Sequence, residues 1–265
     1  MTVPSDHPEI LAPAILTLAR KAGAVIMQVY ATAFDSRAKA DHSPVTDADE
    51  AAEAVILAGL RALTPDIPVI AEEQAARGRL PALGPGPFWL VDPLDGTREF
   101  IGRNGDFTVN IALIGADRRP QLGVVLAPAC DGGIAWLGMA GQGARRYDGP
   151  DDITGAPVRA RAVPADGATV LVSRNHRDAE TDAWLATQHV AAEVTAGSSL
   201  KFCRIAEGAA DLYPRFASIM EWDTAAGQAV LEAAGGAVIT WDDVPLSYGK
   251  PGFRNPGYLA RGLVG

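Results

Sequence analysis

The stretch Trp89-Leu90-Val91-Asp92-Pro93-Leu94-Asp95-Gly96-Thr97 constrains the fold more than any other part of this chain. The apolar residues of a buried strand run directly into two carboxylates that straddle a proline, and a Gly-Thr pair follows at once. Pro93 fixes its own φ and restricts Asp92, so the turn holds Asp92 and Asp95 in a set geometry. The Leu94 carbonyl between them is a third oxygen. Hard divalent cations such as Mg²⁺ take all-oxygen, carboxylate-rich ligand sets of this kind. Gly96 and Thr97 read as the start of a helix whose free N–H groups hold a phosphate. Metal and phosphate chemistry at one corner point to a phosphatase.

At 265 residues the chain is long for one core, which suits one or two intimately packed domains. Hydrophobic residues make up 48% of it, enough to bury a sizeable interior, so disorder is not expected. The formal charge of −9 argues against a nucleic-acid polymer as partner, because that needs a basic face. An acidic chain that handles phosphates must carry cations to do so. Cys130 and Cys203 show no CxxC spacing and read as two semi-buried thiols rather than a disulfide. No segment reads as the ~20 apolar residues of a membrane span. Met1 to His7 lacks the basic and apolar regions of a secretory signal, which makes the cytoplasm the expected compartment.

Apolar spacing predicts an amphipathic helix over Pro8 to Ala33, an exposed loop over Arg37 to Thr46 and a second helix over Asp47 to Leu63. Pro68 to Ala71 and Phe88 to Val91 read as buried strands that end in carboxylates. Thr108 to Ile114, Gln121 to Ala127 and Gly133 to Leu137 follow at the spacing of an antiparallel meander, and Gly138 to Gly143 reads as a tight turn. A Pro/Gly/Asp-rich stretch, Tyr147 to Pro164, marks the expected boundary between an α+β part, residues 1–150, and an α/β part, residues 151–265. In the latter, Thr169 to Ser173, Ala210 to Tyr213 and Ala237 to Thr240 read as strands. Asp178 to Thr187, Ser199 to Glu207 and Trp222 to Ala234 read as helices.

Four separated segments carry acids at element ends: Asp47/Asp49, Glu72/Glu73, Asp92/Asp95 and Glu221/Asp223. Each alone reads as a solvated helix start or loop; together they read as a shared metal site. The run from Trp89 through Phe100 resembles the first signature of the inositol monophosphatase-like superfamily of Mg²⁺-dependent, lithium-sensitive phosphatases. Glu221-Trp222-Asp223-Thr224-Ala225-Ala226-Gly227 is similar to its second signature, with Ser43 to Asp49 and Ala71-Glu72-Glu73 at the matching upstream positions. Within the superfamily, several segments look most like the 3′(2′),5′-bisphosphate nucleotidases of the CysQ type. They are Lys39-x-Asp41-x-Ser43-Pro44-Val45-Thr46, Arg98 to Gly105, Phe107 to Ile114, Gly197 to Cys203 and Tyr213-Pro214-Arg215-Phe216. Ala71, where glycine or serine is frequent, and Arg98, where lysine is frequent, depart from the pattern.

That resemblance implies that Glu72, Asp92, the Leu94 carbonyl, Asp95 and Asp223 ligate two or three Mg²⁺ ions. It implies that a metal-activated water attacks the phosphate, with Thr97, Asp49 and Glu72 orienting it and taking its proton. Asp49 is preferred to Asp47 because its spacing from Thr46 matches the family's aspartate; Asp47 reads as a helix N-cap. The Gly96 and Thr97 N–H groups hold the scissile phosphate, beside Glu72, Leu94, Asp95 and Asp223. Ser173 and His176 flank the nucleoside, Ser198 and Lys201 face the ribose and second phosphate, and Arg215 supports them. Lys201 and Arg215 read equally well as surface charges. His7, His42 and His189 read as surface residues, and Trp222 as core packing that aims Asp223.

The implied fold is a layered αβαβα sandwich. The implied reaction is hydrolysis of adenosine 3′,5′-bisphosphate to AMP and phosphate, with 3′-phosphoadenylyl sulfate as a further substrate and a link to sulfur metabolism. Inositol monophosphatase activity is the alternative, and fructose 1,6-bisphosphate a distant third substrate. A metal-binding protein without catalysis is disfavoured, because Glu72, Asp92, Asp95, Thr97 and Asp223 are all intact. The expected partner is a small-molecule nucleotide. Monomer and homodimer stay open, as does peripheral contact with the inner membrane.

Overall fold

A computed structural model describes residues 8–38, 44–174 and 177–263. Strands Val69–Ala71, Phe88–Asp95, Thr108–Ile114, Pro120–Ala127, Ile134–Met139, Gly143–Asp148 and Ala156–Val158 form a seven-stranded sheet in chain order. The first two are parallel and the rest antiparallel. Side chains alternate across it. Trp89, Val91, Ile111 and Val124 face helices Pro8–Tyr30 and Asp47–Leu63; Phe88, Leu90, Ala112 and Val125 face a second core on the other side. Burial of both faces explains why these strands read as near-continuous apolar runs.

Helices Leu200–Ala206 and Ala225–Ala233 fill that second core. Beyond them lies a five-stranded sheet in the order Val190–Ala196, Ala168–Ser173, Leu212–Arg215, Tyr258–Arg261, Ala237–Thr240. Helix Ala179–Leu185 closes its outer face through Leu185, packed with Val170 and Val172. The layers therefore run helix, sheet, helix, sheet, helix, the expected sandwich.

Several local expectations give way. Arg37 to Thr46 is not all loop: Ser36–Ala38 pairs antiparallel with Pro44–Thr46, a hairpin too short and polar to show a period. The helix expected over Trp222 to Ala234 is a 3₁₀ turn, Glu221–Asp223, followed by a separate helix Ala225–Ala233. The tight turn expected over Gly138 to Gly143 is confined to residues 140–142, and Gly138 lies within a strand, where a Cβ would sit 2.5 Å from Val230 Cα; only glycine lets the helix approach so closely. Strands Gly143–Asp148, Val190–Ala196 and Tyr258–Arg261 carry too many polar or small residues for the pattern to reveal them. Helix Pro8–Tyr30 is, against expectation, long and apolar enough by composition to cross a bilayer. Its Leu11, Ile15, Ala19, Ala22 and Ile26 are instead buried in the core beneath the seven-stranded sheet. Both cysteines are free thiols, Cys203 buried and Cys130 partly so, and His189 is exposed.

Candidate active site

In a regular strand, residues three apart point to opposite faces. Asp92 pairs with Asn110 and Asp95 with Thr108, so three steps on one strand oppose two on its neighbour. This one-residue bulge at Pro93-Leu94 turns Asp92 and Asp95 toward the same side of the sheet. They face the half of the molecule that brings Asp223. Gly96 ends the strand with φ 93° and caps the short helix Thr97–Ile101. A Cβ there would meet the Asp106 carbonyl at 3.1 Å, so both the turn and the close approach call for glycine.

Asp49 enters from the start of helix Asp47–Leu63. The N-cap is Thr46 rather than Asp47, which is exposed and paired with Arg37. A capping box forms because the acid stands at the third helical position. Asp49 Oδ2 accepts from Thr46 N at 2.8 Å and Thr46 Oγ1 at 2.7 Å. Its other oxygen accepts from Thr97 Oγ1 at 3.1 Å. One buried carboxylate thus caps a helix and holds the threonine hydroxyl at the cleft.

Glu72, Asp92, Leu94, Asp95, Gly96, Thr97 and Asp223 line an open cavity of about 240 Å³. Ser173, Ser198, Lys201 and Arg215 line the same cavity from the second half. His176 lies outside the described residues, as do His7, His42, Lys39, Asp41 and Ser43. Glu73 and Glu221, grouped with the acids by sequence, do not line it. The N–H of Glu73 donates to Glu53. Glu221 is buried against Lys250, with its carboxylate accepting from Gly249 N and Lys250 N. Trp222 packs in the core at the foot of Asp223, as expected.

Lys201 and Arg215 are not surface charges. Lys201 is buried, and its Nζ donates to the carbonyls of Ala196 at 3.2 Å and Ser198 at 2.8 Å and lies 5.0 Å from the Tyr213 ring. Arg215 is half-buried, with Nε unpartnered among the described residues. Burial by itself would raise the Tyr213 phenol, yet Lys201 and Arg215 hold it below its ordinary value. This end of the cavity favours negative charge.

The opposite end does not. Burial, then the charges of Glu72, Asp95 and Asp223, pushes Asp92 well above its usual range; burial, then Asp95 and Glu72, does the same to Asp223. Glu72 and Asp95 thus act on both Asp92 and Asp223. Among the described residues no three acidic, histidine or cysteine side chains form a ready-made ion cage. The donors nevertheless suit hard divalent cations: four carboxylates and a carbonyl, all oxygen, whose mutual repulsion a bound cation would relieve. Asp95 is raised by burial and moderated by Lys201, Ser199 and Asn110. Ser199 and Asn110 escaped the sequence reading, as did Glu99, Gly197, Tyr213 and Tyr258 on the cavity wall. Ser199 and Asn110 lie inside the segments that carry the resemblance, so the signal was present without a role attached.

A five-layer sandwich with an acid-lined cleft between its halves describes a known class of phosphatase. The chain belongs to the inositol monophosphatase family, whose sequence profile matches residues 7–262. It is 46% identical over 247 residues to the 3′(2′),5′-bisphosphate nucleotidase CysQ of Escherichia coli O157:H7, across 92% of this chain and 96% of that one. To the CysQ nucleotidase of Buchnera aphidicola it is 38% identical over 256 residues, covering 94% and 92% of the two chains. The solved CysQ from Bacteroides thetaiotaomicron superposes with a TM-score of 0.78 at 36% identity, over 95% of this chain and 96% of that one. Inositol monophosphatase from Anabaena (Nostoc) sp. PCC 7120 gives 0.75 at 28% identity, over 97% and 92%.

Proposed function

We propose that this chain is a Mg²⁺-dependent phosphatase that removes the 3′-phosphate of adenosine 3′,5′-bisphosphate, giving AMP and phosphate, and that also accepts 3′-phosphoadenylyl sulfate. The reading is carried by the opposed character of the two ends of one cleft, crowded carboxylates facing buried cations. A bisphosphate has two anionic groups to place, whereas an inositol monophosphate has one. The names of the 46%-identical relatives point the same way. Residues 1–150 supply Asp49, Glu72, Asp92, Asp95 and Thr97, and residues 151–265 supply Asp223, Ser173, Ser198, Lys201 and Arg215.

Glu72, Asp92, Asp95, Asp223 and the Leu94 carbonyl would hold two or three cations. When bound, these supply the positive charge that neutralises phosphate oxygens and acidifies water. The chain's own groups do the rest. Thr97 Oγ, donating to Asp49, is set to accept a proton from an attacking water while passing its own to the carboxylate. Backbone N–H groups at Gly96 and Thr97 orient the scissile phosphate. Lys201 and Arg215 hold the second phosphate by charge-assisted hydrogen bonds. His176 and Ser173 flank the nucleoside.

A phosphate-release panel tests this. Adenosine 3′,5′-bisphosphate, 3′-phosphoadenylyl sulfate, inositol 1-phosphate and fructose 1,6-bisphosphate are compared with and without Mg²⁺, and with Li⁺ added. Fast, Mg²⁺-dependent, Li⁺-inhibited release from the first two is expected. A wide preference for the inositol ester would replace the nucleotide reading by the inositol one.

A further inference from the structure

Ser199 sits where the two halves meet, 1% exposed. Its N–H donates to Asp95 Oδ2 at 2.7 Å. Its Oγ stands 3.0 Å from that oxygen and 2.8 Å from the Asp223 carbonyl. A hydroxyl has one proton, so Oγ donates to one of these acceptors at a time. It accepts in turn from Asn110 Nδ2 at 2.9 Å, which also reaches Asp95 Oδ2 at 3.3 Å. Asn110 is as buried as Ser199. Oδ2 is therefore surrounded by donors, and the other oxygen of Asp95 is the one left to the cleft. The preceding residue, Ser198, is held at φ 45°, a left-handed conformation uncommon for serine, which turns the chain so that both polar groups of Ser199 meet Asp95.

We propose that Ser199, seated on Asn110, is a positioning residue for cation binding: it presents Asp95 through a single oxygen and ties it to the backbone of Asp223. Asp95 ends a strand of the seven-stranded sheet, and Asp223 ends the 3₁₀ turn before a helix of the second half. Nothing covalent nearby fixes their separation; Ser199 bridges them, its N–H on Asp95 and its hydroxyl on the Asp223 carbonyl. The inference rests on the reading of Asp95 and Asp223 as cation ligands. The backbone bond from Ser199 N survives any side chain, so substitution isolates the hydroxyl's part.

Mg²⁺ binding to the full chain is measured by calorimetry without substrate, for wild type, Ser199→Ala and Ser199→Cys. Groups that orient metal ligands typically cost 10- to 100-fold in affinity when removed, so Ser199→Ala should bind Mg²⁺ roughly tenfold more weakly. The cysteine variant, with its weaker donor, should fall between. The Mg²⁺ concentration for half-maximal turnover should rise by the same factor, while KM for the nucleotide at saturating Mg²⁺ stays within about twofold. Melting in EDTA should fall only about 2–4 °C, the loss of one hydrogen bond. Wild-type Mg²⁺ affinity in Ser199→Ala overturns the inference. So does weaker binding accompanied by a much larger drop in melting temperature, because general loosening then accounts for it. If the alanine variant does not fold, the cysteine variant decides by the same criteria. A wild-type protein that neither binds Mg²⁺ nor releases phosphate overturns the proposed function itself and the inference with it.

Discussion

At one end of the cleft Glu72, Asp92, Asp95 and Asp223 crowd together, with Lys201 and Arg215 only partly offsetting Asp95 and Asp223. At the other, Lys201 and Arg215 stand among carbonyl oxygens and tyrosines that already suit them. Burial alone would favour the neutral form of Arg215, yet Tyr213, Tyr258 and Asp223 hold it above its ordinary value. The two ends thus differ in readiness. The cationic end is organised to receive an anion. The acidic end becomes organised when divalent cations offset its charge, because like charges a few Å apart in a poorly solvated cleft repel strongly.

Substitutions can break this comparison. Asp95→Asn, nearly isosteric, removes a charge the acidic end needs. Turnover should fall roughly a thousandfold, equivalent to about 4 kcal/mol of barrier at 1.36 kcal/mol per tenfold. The circular-dichroism spectrum should not change, and undiminished phosphate release would remove Asp95 from the mechanism. Thr97→Val keeps the shape and deletes the hydroxyl that donates to Asp49. A loss of about a hundredfold in kcat is expected at saturating Mg²⁺, the lower range for a general-base partner. An unchanged kcat would assign that hydrogen bond to folding alone.

Lys201→Met sharpens the difference between the ends. If the cationic end serves a second phosphate, kcat/KM for the bisphosphate should fall about 10- to 100-fold, the value of one charge-assisted hydrogen bond. Inositol 1-phosphate hydrolysis should scarcely change. An equal loss on both substrates would assign Lys201 to the acids instead, since its charge also lowers Asp95.

The smallest effect is on stability. Asp92 and Asp223 have folded-state values raised above the ordinary 3.8, so above that value the cation-free folded chain binds more protons than the unfolded one. The contribution of these two acids to stability in EDTA should be fully present below 3.8 and be lost as pH rises through the raised values. Mg²⁺ binds the deprotonated acids, so its apparent affinity should rise over the same window, and saturating Mg²⁺ should flatten the decline. Melting curves from pH 4 to pH 8, with EDTA or Mg²⁺, check both slopes; a rise in EDTA would refute the crowding.

Much of the acidic end was legible in the amino-acid order. A strand of consecutive apolar residues running into Asp92-Pro93-Leu94-Asp95-Gly96-Thr97 has few alternatives, because burial fixes the strand and proline and glycine fix the turn. The bulge that brings both acids to one side was not legible, since it depends on how Thr108 and Asn110 pair across the sheet. The same limit applies to Glu221, which shares a motif with a cleft acid but answers to Lys250, and to Glu73, whose backbone N–H donates to Glu53. Weakly patterned strands such as Val190–Ala196, mostly exposed at a sheet edge, left no period to read.

Sequence alone determined an α+β part followed by an α/β part and the chemical identity of the acids, because hydrophobic period and turn chemistry are local properties of a chain; the layered sandwich was implied by the resemblance that its motifs carry. Tertiary structure alone decided that Lys201 is buried, that Thr46 rather than Asp47 caps its helix, and that Ser199 and Asn110 hold Asp95. Those outcomes depend on the electric field and the hydrogen-bond partners a side chain meets. Both are supplied by segments distant in the chain, which come together only in the folded protein.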